Sequence, residues 1–435
     1  MAAEGKEIEA AIVDLTHDGQ GVADVGGQRV FVAGTLPAER VVIAPRRRRR
    51  RYTEADLVRI VEEAASRTEP PCEYFGRCGG CALQHMSYDA QVRFKQGVVA
   101  EAFARIAGTT PEQWLEPIVG PQWHYRRRAR LGVKHVEAKS RVLVGFRERA
   151  APYVTDMASC PVLAPPMDSV IGGLAAVIAQ TSLKRRLPQA EFAVGEHAAA
   201  IVLRVLDPPN EEDRARLAAF GAERGIDMYV QTGGPGTVAA LTPDARALSY
   251  SLPEFDVTLE FEPTDFIQIN AAVNERMVAS AVELAALERT DRVLDLFCGL
   301  GNFTLPFARY AGEVLGVEGE AGLVARAVRN AKLNGISNAR FVAADLAEPG
   351  WPFYRERWDV LVLDPPRTGA ETPIEQMGRM RPRRIVYVSC HPATLARDAK
   401  VLVQSRGYRL RSARVLDMFP HTHHVEAMAL FESTD

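Results

Sequence analysis

Arg292-Val293-Leu294-Asp295-Leu296-Phe297-Cys298-Gly299-Leu300-Gly301-Asn302-Phe303 is a short apolar strand that runs straight into a glycine turn. Aliphatic residues in near-continuous succession suit a strand covered on both faces, as in a parallel sheet. Runs of the same kind follow at Val314–Val317, Ala339–Val342, Asp359–Leu363 and Arg384–Val388. Helix-like stretches separate them, notably Gly322 to Leu333. This alternation predicts a doubly wound, mostly parallel sheet. A late hairpin is expected from Arg409–Leu416 to Val425–Phe431.

Ligands of such sheets bind beyond the carboxyl ends of the strands, so the residues at those ends carry the functional reading. The first turn has Gly299-x-Gly301 but Thr304 where a dinucleotide fingerprint has its third glycine, which makes NAD a poor candidate. Glu318 closes the second strand and is positioned to accept from both hydroxyls of a ribose. Asp345 closes the third and can accept from an adenine amino group. A nucleoside without phosphates, read by carboxylates at successive strand ends, points to S-adenosylmethionine, and the set resembles the motifs of class I methyltransferases.

Two further strand ends carry the chemistry. One is Asp364-Pro365-Pro366-Arg367, the other Ser389-Cys390-His391-Pro392. Enzymes that methylate amino-bearing bases usually follow Asp/Asn-Pro-Pro with an aromatic residue, and Arg367 stands there instead. A thiol at the next strand end suggests methylation at carbon. Uracil C5 is a weak nucleophile, and thiolate addition at C6 converts it into an enolate that can attack a sulfonium methyl. A base must then remove the C5 proton, and Glu426 at the start of the last strand is the candidate. His421, His423 and His424 lie nearby but lack the spacing of familiar zinc sites.

With 435 residues the chain is too long for one core, and three segments are expected. Residues 5–66 alternate short strands with glycine turns, as a small β-barrel would. Residues 67–262 read as a mixed α/β central domain, and residues 263–435 as the doubly wound domain. No apolar stretch nears the ~20 residues of a membrane span, and the first residues do not look like a secretory signal. A cytoplasmic protein with reduced thiols is expected. Net charge is −2, and residues 1–67 hold eleven basic and eleven acidic residues. The six arginines Arg46 to Arg51 are therefore a focused patch, either a solvated loop or a phosphate-binding site.

The whole pattern resembles the RNA uracil-5-methyltransferase family. The resemblance rests on Phe266-Ile267-Gln268-Ile269-Asn270, Asp295 to Phe303, Asp364 to Gly369, Ser389-Cys390-x-Pro392 through Asp398, and Phe419-Pro420-His421-Thr422-x-His424-Val425-Glu426. It implies Cys390 as nucleophile and Glu426 as base, with Gln268, Phe297, Asn302, Glu318, Asp345 and Asp364 around the S-adenosylmethionine. His391 departs from the pattern, since asparagine is usual there. The amino-terminal segment resembles a TRAM domain, an OB-like RNA-binding barrel, through His17 to Ala23 and Phe31 to Pro37.

Cys72, Cys78 and Cys81 form a C-x5-C-x2-C cluster, and Cys160 supplies a distant fourth thiol. Four thiolates can hold zinc or an iron–sulfur cluster, and spacing alone does not choose between them. The resemblance implies a [4Fe–4S] cluster, because a TRAM domain with these cysteines is similar to the branch acting on 23S ribosomal RNA. The partner expected is thus 23S rRNA, with neither DNA nor a membrane, and the protein is expected to be a monomer. Methylation of another rRNA site or of tRNA, and a non-catalytic iron–sulfur RNA-binding protein, are the alternatives. Cys298 reads as a small packing residue.

Overall fold

The computed structural model describes residues 7–149 and 151–434. The chain packs into two units. One takes the chain up to Val98 with Phe146–Thr155 and Phe419–His424. The other takes Val99–Gly145, Asp156–Met418 and the chain from Val425 on. Among the described residues no helix is long and apolar enough to cross a membrane.

The first unit begins with a closed five-stranded barrel of Ile8–Leu15, Gly21–Val25, Gln28–Val32, Tyr52–Glu62 and Arg40–Arg48, in that spatial order. Alternating inward residues, among them Ile12, Ala23, Val32, Val41 and Ile43, fill its core. Gly26 and Gly27 both take positive φ in the two-residue turn between the second and third strands, where a side chain would be strained. The arginine run lies where the strand Arg40–Arg48 leads into Tyr52–Glu62, with Arg46 and Arg49 near Glu54. Tyr52 beside it stacks on Phe31, ring centroids 4.9 Å apart.

Beyond the barrel, the helix Tyr88–Ala102 buries Gln91 and Lys95 against the remote segment Phe419–His424. Lys95 Nζ donates to the Phe419 carbonyl (2.8 Å), and Gln91 Oε1 accepts the His421 N–H (2.9 Å). The backbone N–H groups of Ala82 and Leu83 both donate to the His421 carbonyl. A six-residue segment without regular secondary structure is thus held by buried polar bonds, as buried backbone requires.

The second unit holds two large sheets. A six-stranded sheet runs Val238–Ala240, Asp227–Gln231, Ala199–Arg204, Gln189–Val194, Arg128–Val136, Arg141–Gly145. Arg128–Val136 and Arg141–Gly145 are joined by a turn at Glu137–Lys139 and Ser140, whose φ is +48°. The eight-stranded sheet runs Ala339–Ala343, Glu313–Glu318, Arg292–Leu296, Val360–Leu363, Arg384–Ser389, Glu426–Ser433, Tyr408–Leu416, Gln113–Trp114. Its first five strands are parallel, and Glu426–Ser433 is antiparallel to both neighbours. The helix Ala321–Leu333 follows the second strand in sequence and packs on its sheet. This is the expected doubly wound order, with a hairpin and a two-residue edge strand added.

Candidate active site

The first strand end is a strained turn. Phe297 has φ +67°, a conformation a bulky residue adopts only when its surroundings impose it. The N–H groups of Phe297 and Cys298 both donate to the Val317 carbonyl, which pins the turn to the neighbouring strand. Gly299 and Gly301 continue it with φ of +54° and +92°. Cys298 is buried, and a Cβ on Gly316 would stand 3.0 Å from its sulfur, so it packs tightly against the next strand. Burial holds its thiol well above the usual range, first among several causes, and it is chemically inert there.

Glu318 fixes the turn from the second strand. Its Oε2 accepts the Gly299 N–H and its Oε1 the Glu320 N–H, both at 3.1 Å. Each oxygen keeps a lone pair for a ligand hydroxyl. Asn302 is held by a reciprocal amide pair with Asn274 (2.9 and 3.0 Å) and accepts from Tyr250 (3.0 Å). Burial pushes Tyr250 up to about 12, so it stays a donor at neutral pH. The Arg127 guanidinium lies 4.3 Å over its ring and donates through Nε to the Gln268 carbonyl. Asn274 and Tyr250 were not legible in the sequence, because they sit in an ordinary helix and strand.

Burial raises two carboxylates at the rim. Asp295 is fully buried, with Oδ2 accepting from Thr304 (2.5 Å) and Oδ1 bonded to nothing in the protein. Burial first, then Asp364 and Glu318, push it up to about 7. Asp364 is likewise pushed up to about 7 by burial, against a 3.2 Å hydrogen bond from Gln268 Nε2. Asp345 lies apart from them in an exposed position, its Oδ1 accepting the Ala347 N–H (2.9 Å). A cluster of buried acids with an unused acceptor suits a cationic ligand, and the sulfonium and hydroxyls of S-adenosylmethionine fit that donor set.

Strand register brings the thiol and the candidate base together. Ser389 pairs with Ala427 at the end of the antiparallel ladder, so Cys390 and Glu426 are the next residues beyond that pair, and the Glu426 charge acts on the thiol. Glu426 is buried and Cys390 half-buried. Burial raises the thiol above its usual range, the Glu426 and Asp364 carboxylates raise it further, and Arg367 opposes them. The Pro-Pro loop is tied to the same strand by Asp398, which accepts from Ala370 N–H (2.8 Å), Tyr387 hydroxyl (2.7 Å) and Arg397 Nε (2.9 Å). Gly369, with φ +83°, is required in that loop, since a Cβ would meet the Asp398 carboxylate at 2.7 Å.

The cysteine cluster is different. Cys72, Cys78 and Cys81 belong to the first unit and Cys160 to the second. Among the described residues no three His, Cys, Asp or Glu side chains are grouped closely enough to hold a metal ion. Cys78 is buried, its sulfur accepting the Gly80 N–H at 3.4 Å, and burial raises its thiol, with Cys72 adding to the rise.

A doubly wound sheet whose strand ends carry a glycine turn, acidic residues and a thiol is the arrangement of a methyltransferase. The chain matches the profile of the tRNA (uracil-5-)-methyltransferase family over residues 87–349 and 353–434, and it belongs to that family. It is 49% identical over 431 residues to 23S rRNA (uracil(1939)-C(5))-methyltransferase RlmD of Nitrosococcus oceani, covering 98% of this chain and 96% of that protein. The RlmD of Methylococcus capsulatus is also 49% identical, over 430 residues covering 98% and 97%. The crystal structure of Pyrococcus abyssi tRNA (uracil-54, C5)-methyltransferase with S-adenosyl-L-homocysteine superposes with a TM-score of 0.74, over 98% of this chain and 100% of that one. At 23% identity that likeness shows a shared fold.

Proposed function

We propose that the protein transfers a methyl group from S-adenosylmethionine to C5 of a uridine in 23S ribosomal RNA. The observation that carries the reading is the ladder that ends at Ser389 and Ala427, with Cys390 within reach of the Glu426 and Asp364 charges. Bound S-adenosylmethionine supplies an electrophilic methyl. Cys390 adds as thiolate to C6 of the uracil, and C5, made electron-rich by that bond, takes the methyl. Glu426 then removes the C5 proton, the C5–C6 double bond re-forms and the thiolate leaves. Gln268, Phe297, Asn302, Glu318, Asp345 and Asp364 are assigned to the cofactor. Near-full-length identity to enzymes named for 23S rRNA supports that substrate over tRNA.

RNA carrying 5-fluorouridine tests this chemistry, because fluorine at C5 cannot be removed as a proton. A denaturation-resistant adduct is expected with the native protein and none with Cys390→Ala. An adduct surviving that substitution overturns Cys390 as nucleophile. The barrel is assigned as a TRAM-type RNA-binding module, supported by its exposed arginine run beside the Phe31–Tyr52 stack. A [4Fe–4S] cluster on Cys72, Cys78, Cys81 and Cys160 rests on the sequence pattern, and no step of methyl transfer is routed through it. Iron and acid-labile sulfide in anaerobically purified protein test it, and zinc alone or no metal refutes it.

A further inference from the structure

The residue after the candidate nucleophile has a local geometry of its own. His391 is the N-cap of the helix Pro392–Ser405, with extended φ and ψ of −142° and 96°. Its carbonyl accepts the first helical bond, from Leu395 N–H at 3.1 Å. Pro392 at the first helical position has no N–H to satisfy. The N–H of Thr394, third in the helix, donates to His391 Nδ1 at 3.3 Å. The Thr394 hydroxyl donates to the His391 carbonyl at 3.0 Å. On the other side, the His391 N–H donates to Ser389 Oγ at 3.1 Å. Cys390 is thus the middle residue of a turn fixed at both shoulders by the His391 backbone and ring.

Capping by Nδ1 requires its lone pair. The neutral ring with hydrogen on Nε2 provides it, whereas in the imidazolium Nδ1 becomes a donor toward the Thr394 hydroxyl 3.3 Å away and the Thr394 N–H loses its acceptor. Asparagine caps with an amide oxygen that does not titrate near neutral pH. We propose that His391 is a positioning residue for Cys390 that works only as the neutral imidazole, so that protonation loosens the helix start beside the thiol and slows its addition to uracil. The proposal rests on the reading of Cys390 as nucleophile. The charged groups that act on the neighbouring Cys390 are Glu426, Asp364 and Arg367, and Arg397, Asp398 and Glu371 lie along the helix and its loop. They are unchanged when His391 alone is altered, so a difference between two pH profiles reports the imidazole.

The test uses the full-length protein with S-adenosylmethionine and a 23S rRNA transcript carrying 5-fluorouridine, following the rate of the covalent adduct from acid to alkaline pH. In that reaction the Cys390 sulfur bonds to C6, C5 takes the methyl, S-adenosylhomocysteine departs and no C5 proton moves, so Glu426 is not called on as base. His391→Asn should match the native rate at pH 8 and outrun it by about tenfold at pH 5.5, a cap being worth roughly one kcal/mol or more. His391→Ala should be slower than the native protein by about tenfold at pH 8 and equal to it at pH 5.5, where the native cap is itself lost. Superimposable native and His391→Asn profiles overturn the proposal, as does a His391→Ala rate equal to the native one at pH 8. Absence of adduct with native protein at every pH instead overturns the nucleophile reading on which the proposal stands.

Discussion

Replacing Asp295 with asparagine should stabilise the unliganded protein at alkaline pH while impairing its activity. The carboxyl is fully buried, and burial followed by the Asp364 and Glu318 charges raises it to about 7. An unfolded chain releases that proton near pH ~4. Between those values the native state keeps a proton that the unfolded state has lost, so stability falls as pH rises through the window and is level again above it. Three pH units at about 1.4 kcal/mol each give a ceiling of about 4 kcal/mol. Asparagine keeps an acceptor for the Thr304 hydroxyl, but its NH2 faces the place where Oδ1 has no partner, which costs about 1 kcal/mol. The net gain is about 2–3 kcal/mol at pH 8 and close to nothing at pH 5. Thermal unfolding of both proteins without cofactor at the two pH values reads this out, as an upward shift of about 5 °C at pH 8 only. An equal shift at both pH values, or none at pH 8, would refute the account of a strained acid cluster awaiting a cationic ligand.

Two further substitutions probe the supports of the rim. Glu318→Gln leaves one of the Gly299 and Glu320 N–H groups facing an NH2, so KM for S-adenosylmethionine should rise about tenfold with kcat little changed. An unchanged KM in steady-state kinetics removes Glu318 from the cofactor site. Asp398→Ala strips three donors of their acceptor inside the protein and should cost about 3–5 kcal/mol, with adding Tyr387→Phe recovering about 1 kcal/mol. Full additivity of the two in a double-mutant cycle contradicts the tie between loop and strand.

The parallel strands were readable because strands covered on both faces become uninterrupted aliphatic runs. Arg292–Leu296 and the helix ending at Leu333 lie where the periodicity put them. Gln113–Trp114, which adds an edge to the same sheet beside Ser412 and Ala413, is too short to show a period. The turn at Ser140 was hidden because an ordinary residue, not glycine or asparagine, takes the left-handed conformation there. In the site, strand-end acids and the thiol announced themselves by position. Their supports did not, since Asn274 and Tyr250 reach Asn302 from positions distant in sequence. The thiol's environment was also beyond the sequence: burial first, and then neighbouring carboxylates, push it up, the opposite of what a nucleophile in isolation requires.

The bond from Lys95 to Phe419 spans 324 residues of chain. During synthesis the barrel can close as soon as its five strands have emerged, since they are consecutive. The helix Tyr88–Ala102 cannot finish packing then, because Phe419–His424, which takes up its buried amide and ammonium groups, is made only after the great bulk of the second unit. A nascent chain therefore carries an incomplete first unit, with Gln91 and Lys95 still hydrated, until translation reaches the residues just before Glu426. Completion of the amino-terminal unit and arrival of the candidate base are one event in the life of the polypeptide.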